Sequence, residues 1–154
     1  MTSPEVKQFW RATITSAALV LVAAMPAFAQ APAPLRSTVF PADSARSRKT
    51  GATIQRSLVD TVTATFSKLE MHESTIQAGT VPHPPHRHGH EEMILVRSGV
   101  IEVFFGPETH KAGPGDVVFM ASNEMHGIRN PGPGPATYLV MRLDTHDAPA
   151  DAKP

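Results

Sequence analysis

From about residue 57 onward the chain sets short apolar runs between Gly- and Pro-rich breaks, and no run keeps a helical period. Val59 to Phe66, VDTVTATF, is rich in β-branched residues and predicts a strand. Leu69 to Ile76, LEMHESTI, alternates apolar and polar residues and then slips at Thr75/Ile76, which predicts a strand with a register change. Val81 to Pro85, VPHPP, is excluded from a sheet interior because each proline lacks a ladder donor. Met93 to Val96, MILV, is apolar at both parities, so its strand should be covered on both faces, the second by an N-terminal arm or by another subunit. Ser98-Gly99 is a tight turn, and Val100 to Phe105 returns as the second arm of a hairpin. In Gly113-Pro114-Gly115-Asp116 the Pro-Gly pair suits a type II turn, with Gly115 at positive φ. Val117 to Met120, His126 to Asn130 and Ala136 to Leu143 supply the remaining strands. Many short strands at this spacing predict an all-β sandwich or barrel over residues 57–143.

The ends read differently. Residues 1–29 carry a weakly basic start (Lys7, Arg11), an apolar run from Ala17 to Ala24 and an A-x-A site at Ala27-Phe28-Ala29. That is the layout of a secretory signal peptide cut before Gln30, and the run is too short to span a membrane. The mature protein is therefore expected in the periplasm or outside the cell, with no membrane attachment after cleavage. Residues 30–56 read as a Pro/Ala linker and an N-terminal arm, with Arg46, Arg48 and Lys49 as a solvated basic patch. Residues 144–154 read as a polar, disordered tail.

Composition narrows the function. Lys+Arg and Asp+Glu balance at 14 each, which gives no argument for nucleic acid as a partner. The absence of cysteine excludes disulfides, thiolate ligands and a cysteine nucleophile. In HRHGHEEMILVRSG, from His86 to Gly99, the residues His86, His88 and Glu92 share one parity. On an extended backbone they can point the same way, as a divalent metal site would require; the alternative is a polar loop rich in histidine. A sandwich fold can bring the strand bearing His126 beside them.

These residues carry a resemblance. His86, His88, Glu92 and Gly99 match every spacing of G-x5-H-x-H-x3,4-E-x6-G, the first motif of the cupins, except that the leading glycine, Gly79, stands one residue early. Gly115, His126 and Asn130 match the second motif, G-x5-P-x-G-x2-H-x3-N, while Ala121 replaces its proline and Asn123 its second glycine. The chain thus resembles a small single-domain cupin. The resemblance implies a jelly-roll barrel (a double-stranded β-helix) and a ligand set of His86, His88, Glu92 and His126. Three imidazoles and a carboxylate suit one divalent transition metal, Fe, Mn, Ni, Cu or Zn, with positions left open for substrate or dioxygen.

Other residues are expected to do less. His90 shares the ligand parity but falls where loop turns into strand, so it should lie beside the site or exposed. His83 is expected as an exposed loop histidine, and His72, His110 and His146 as surface residues. Met93, Met120, Met125 and Met141 are expected to fill the core. Arg129 and Arg142 should be solvated or ion-paired, and Asn130 should close a backbone turn. Ile94, Val96 and Ile128 continue the ligand parity, which predicts a largely apolar pocket without a separate acid or base. Two functions follow. One is a metal-dependent enzyme, a dioxygenase or isomerase acting on a small polar molecule. The other is a non-catalytic metal- or ligand-binding module. A barrel with an empty pocket fits less well, because all four ligand positions are filled. A homodimer is expected from the doubly apolar strand.

Overall fold

The structure is a computed structural model, and it describes residues 33 and 35–151. The expected signal peptide lies outside the described residues. Nine strands follow a short 3-10 turn at Ala42–Ser44: β1 (Arg46–Thr50), β2 (Thr53–Thr61), β3 (Phe66–Ile76), β4 (Glu91–Ser98), β5 (Ile101–Phe105), β6 (Glu108–Ala112), β7 (Val117–Met120), β8 (His126–Arg129) and β9 (Ala136–Thr145). They pair antiparallel in two sheets, one in the order β1-β2-β3-β9-β4-β7 and one in the order β6-β5-β8. This is the all-β jelly-roll barrel expected. Its core gathers Ile76, Ile94, Val96, Ile101, Val103, Met120, Ile128, Ala136, Tyr138 and Val140 from both sheets.

Local chemistry explains the boundaries. The run expected as one strand from Val59 to Phe66 is broken, because the Thr63 hydroxyl accepts hydrogen bonds from the amides of Thr65 and Phe66. Such a side chain offers the backbone a turn in place of a ladder. The turn separates β2 from β3. Gly115 has φ +91, as its place in the Gly113–Asp116 turn requires, and Asp116 N–H closes that turn on Gly113 O. Asn130, 1% exposed, donates to the carbonyls of Ile76 and Gly134 and accepts from Gly132 N–H. It is the turn-closing residue that its position predicted.

Three findings differ from the sequence expectations. First, the sheet begins in the expected arm: β1 is a fully exposed edge strand that carries Arg46, Arg48 and Lys49. Charges on an edge oppose strand-to-strand aggregation. Second, β3 pairs with β9 without a break from Leu69 to Ile76, and the register shift in this stretch lies instead in its partner β2, between Ser57 and Val59 opposite His72 and Met71. Glu70, His72 and Ser74 stand on the same face as buried Ile76, and Leu69 and Met71 stand on the other. The strand only seemed to slip because its inward face is polar. Third, β9 runs to Thr145, and residues 146–151 fold back onto the rest of the domain, where a disordered tail was expected.

The two faces of β4 are now distinct. Ile94 and Val96 are buried, at 1% exposure each. Met93 and Leu95 lie on the outer face between Met141 and Leu139 of β9 and Phe119 and Val117 of β7. Phe119 and Val117 are 52% and 57% exposed. Met93 and Met141 are therefore half-buried surface residues, while Met120 fills the core as expected. The segment before β1 runs beside β2, where Leu35 N–H meets Val62 O just past its end and Arg56 meets Ala42 O.

Candidate metal centre

Separate elements bring the four predicted residues together. His86 closes the stiff Pro-rich segment and pairs with His126, the first residue of β8, through reciprocal backbone hydrogen bonds of 3.0 and 2.9 Å. His88 sits in the loop before β4. Glu92 is the second residue of β4, held in register opposite Met120 and Arg142. Ligand atoms of His86, His88 and His126 all lie within 4.8 Å of one another. Glu92 Oε1 is 3.6 Å from His88 Nε2.

Hydrogen bonds set which ring atoms face inward. His88 Nδ1 lies 2.9 Å from the carbonyl of His90, and His126 Nδ1 lies 2.9 Å from the carbonyl of Glu124. A carbonyl only accepts, so each Nδ1 carries the proton and each Nε2 presents a lone pair. Those two Nε2 atoms, with His86 Nδ1, are buried and have no hydrogen-bond partner. Buried polar atoms are ordinarily satisfied. Three orphaned nitrogens converging beside a carboxylate fit a cation, and the carbonyl contacts are the outer support that a ligating histidine needs.

The electrostatics point the same way. The pKa of His86 is lowered to about 4, first by burial and then by its neighbours His83, His126 and His88. Burial also lowers His126, and it lowers His90. His86, His126 and His90 are thus biased toward the neutral form, the one that binds metal.

His90 is 9% exposed and stacks on His88 with ring centroids 3.4 Å apart. Its Nε2 is 3.4 Å from Glu92 Oε1, and its Nδ1 is 3.7 Å from Asp144 Oδ1. Asp144 is gripped by Arg142 through two hydrogen bonds of 3.0 and 2.7 Å. His90 thus contacts both His88 and Glu92, and with them forms a second group of donors close enough to hold a cation. Arg142 is ion-paired with Asp144 and Arg129 with Glu102, as expected.

The cavity beside the centre has a volume of about 60 Å³. Ile94 and Ile128 line it as the ligand parity predicted, joined by Met120 and Val140, whereas Val96 is not among the lining residues. The accompanying expectation, that no separate acid or base lines it, is corrected. His72, His83 and Tyr138 also line the cavity. His72 was expected on the surface, but β3 turns it inward opposite Val140, with its Nδ1 3.2 Å from Glu70 Oε1. Tyr138 is 2% exposed, and burial raises its pKa. His83 packs edge-on against His86 with centroids 4.5 Å apart. The signal for His72 was present in the sequence as the polar alternation Glu70, His72, Ser74. Nothing in the sequence marked Tyr138.

The second motif's departure at Asn123 is explained by the backbone. Asn123 has φ +61, the left-handed region that a glycine would occupy and that asparagine tolerates. Glu124 N–H closes the turn on Ala121 O at 3.2 Å.

An all-β jelly-roll barrel that carries a cluster of three histidines, with Glu92 beside it, is what fold and geometry together define. Comparison with known proteins agrees, since residues 72–142 match the Cupin domain family. Solved structures share the fold. KdgF from Halomonas sp. is 20% identical with a TM-score of 0.57, covering 71% of this chain and 98% of that one. The polyketide cyclase RemF from Streptomyces resistomycificus is 20% identical with a TM-score of 0.59, covering 78% and 87%. An RmlC-like cupin from Shewanella frigidimarina is 16% identical with a TM-score of 0.58, covering 72% and 95%. No curated protein matches the chain. The match covers less than half of the chain, the solved structures show that the fold is shared, and the histidine cluster beside Glu92 fits a metal site of that fold.

Proposed function

We propose that the protein is a periplasmic or secreted metal-dependent enzyme that acts on a small polar molecule, with His86, His88, Glu92 and His126 holding one divalent transition metal. The metal would supply a Lewis acid with open positions for substrate, and dioxygenase- or isomerase-type reactions both fit that chemistry. The observation that carries the enzymatic reading is the His72–Glu70 pair. It sits on the cavity wall, outside the ligand set, and its imidazole is held by a carboxylate at 3.2 Å. A binding module needs no such group. An enzyme that moves a proton does, and a carboxylate-oriented histidine within reach of bound substrate is suited to the task. Ile94, Met120, Ile128 and Val140 exclude water around the reacting atoms, and Tyr138 offers a hydroxyl to orient them.

The test has two stages. The purified chain, loaded in turn with Fe, Mn, Ni, Cu and Zn, is screened for oxygen consumption and product formation over small acids, sugars and phenols. His72→Gln is then expected to lower turnover by about 100-fold while metal content stays unchanged. Ligand binding without turnover of any compound would favour the non-catalytic binding module. Full turnover by His72→Gln would remove His72 from the chemistry. We also propose that the apolar outer face around Met93, Leu95, Leu139 and Met141 packs against a second copy of the chain.

A further inference from the structure

The segment after β9 contacts the metal-ligand loop at a buried residue, Gly89. Ala148 N–H turns the chain back on Thr145 O at 3.2 Å. Asp151 Oδ1 then accepts from Gly89 N–H at 2.6 Å, and Ala150 O accepts from Asn123 Nδ2 at 3.2 Å. The other side of the loop is tied to the turn before β8. Ser122 Oγ donates to Gly89 O at 2.7 Å, and Asn123 N–H donates to His88 O at 2.7 Å. Both polar groups of the Gly89 backbone are thus spoken for, one by the chain end and one by the turn that leads to His126. Gly89 separates His88 from His90, the ring that stacks on it. There is no room for a side chain at Gly89, since an added methyl would strike the carbonyl of Pro149 and the backbone of Ala150.

We infer that residues 146–151 are a strap that positions the metal-ligand loop, with Asp151 as the positioning residue that fixes Gly89 and through it His88. The inference rests on the reading of His86, His88, Glu92 and His126 as the metal centre. Its physical basis is plain. A buried backbone N–H needs an acceptor, and a carboxylate is a stronger one than water or a neutral carbonyl. Without Asp151, the Gly89 amide regains a partner only if the loop opens to solvent, and that opening swings His88 away from His86 and His126. Residues 146–151 do not line the cavity beside the histidines, so the strap would act through the loop that carries His88.

The experiment follows release of Co²⁺ from the full mature chain to a chromogenic chelator, with thermal unfolding as the folding control. Removal of residues 146–154 and Asp151→Ala are each expected to speed release by about 10-fold or more, the usual scale for loss of an outer support. Asp151→Asn keeps an acceptor oxygen and should recover most of the slow release. Gly89→Ala is the diagnostic variant. Gly89 does not use the left-handed region, and the three nearest atoms a methyl would meet all belong to Pro149 and Ala150. It should therefore speed release in the full chain and have no further effect in the truncated one. Release within twofold of the wild type after truncation would overturn the strap, as would an additive effect of Gly89→Ala. A wild-type chain that binds no Co²⁺ would instead overturn the metal centre. Amide exchange at Gly89, which should be protected in the full chain and fast in the truncated one, then tests the strap by itself.

Discussion

Asn130→Ala should cost far more than a polar-to-alanine change normally does. The residue is 1% exposed, and its amide makes three hydrogen bonds to backbone: to Ile76 O at 3.0 Å, to Gly134 O at 2.9 Å, and from Gly132 N–H at 2.8 Å. Alanine leaves two carbonyls and one amide without these partners. A buried group stripped of its partner costs about 1–3 kcal/mol. The Ile76 carbonyl is buried and pays in full, whereas Gly134 is exposed and water can replace part of its bond. The low end for all three, about 3 kcal/mol, is the appropriate sum. A folded unit of roughly 120 residues has an unfolding entropy of about 0.25 kcal/mol/K, so the melting temperature should fall by about 12 °C. Calorimetry of the metal-free chain measures this directly. A fall of less than about 4 °C, or 1 kcal/mol, would mean that the turn re-forms around water and that Asn130 is not the brace described.

Other outcomes follow from the same geometry. His88→Ala should abolish stoichiometric metal binding, while His90→Ala, which removes the ring stacked on His88, should lower metal content far less; equal losses by elemental analysis would mean the wrong histidine has been assigned. The metal-free chain should lose stability as pH falls from about 6.5 toward 4. The unfolded state takes up protons there that the folded state, with His86 lowered to about 4, refuses, so the contribution is complete above 6.5. A urea midpoint that is flat or rises between pH 7.5 and 5 would contradict the sign. The outer face should hold a dimer that Met93→Lys converts to monomer, and sedimentation of the wild type as a monomer at micromolar concentration would reject it.

The candidate donors were legible for two different reasons: the spacing of His86, His88 and Glu92 suggested a shared face, and the resemblance to the second cupin motif added His126, although His88 stands in a loop and only Glu92 lies on β4. Asn130 was legible for a similar reason, since a buried asparagine beside a Pro/Gly turn has few other uses. The strand boundaries around Thr63 were not, because a single hydroxyl's bonds outweighed a run of β-branched residues. His72 was misplaced by the assumption that apolar residues face inward. In β3 the inward side serves the cavity, so the polar residues occupy it, and Leu69 and Met71 take the outer face. Residues 146–151 were read as disordered because they are polar and short of apolar area to bury. What orders them is a carboxylate and a carbonyl meeting two donors on loops far away in the chain.

The sequence by itself pointed to the fold class through its short strands and Gly/Pro breaks, and to the four candidate donors through their match to the cupin motifs. Only the tertiary structure decided what surrounds those donors. Which ring nitrogen is left without a partner, which polar wall faces the cavity and which distant backbone is strapped to Gly89 are all contacts between strands and loops remote in sequence. No local pattern encodes them.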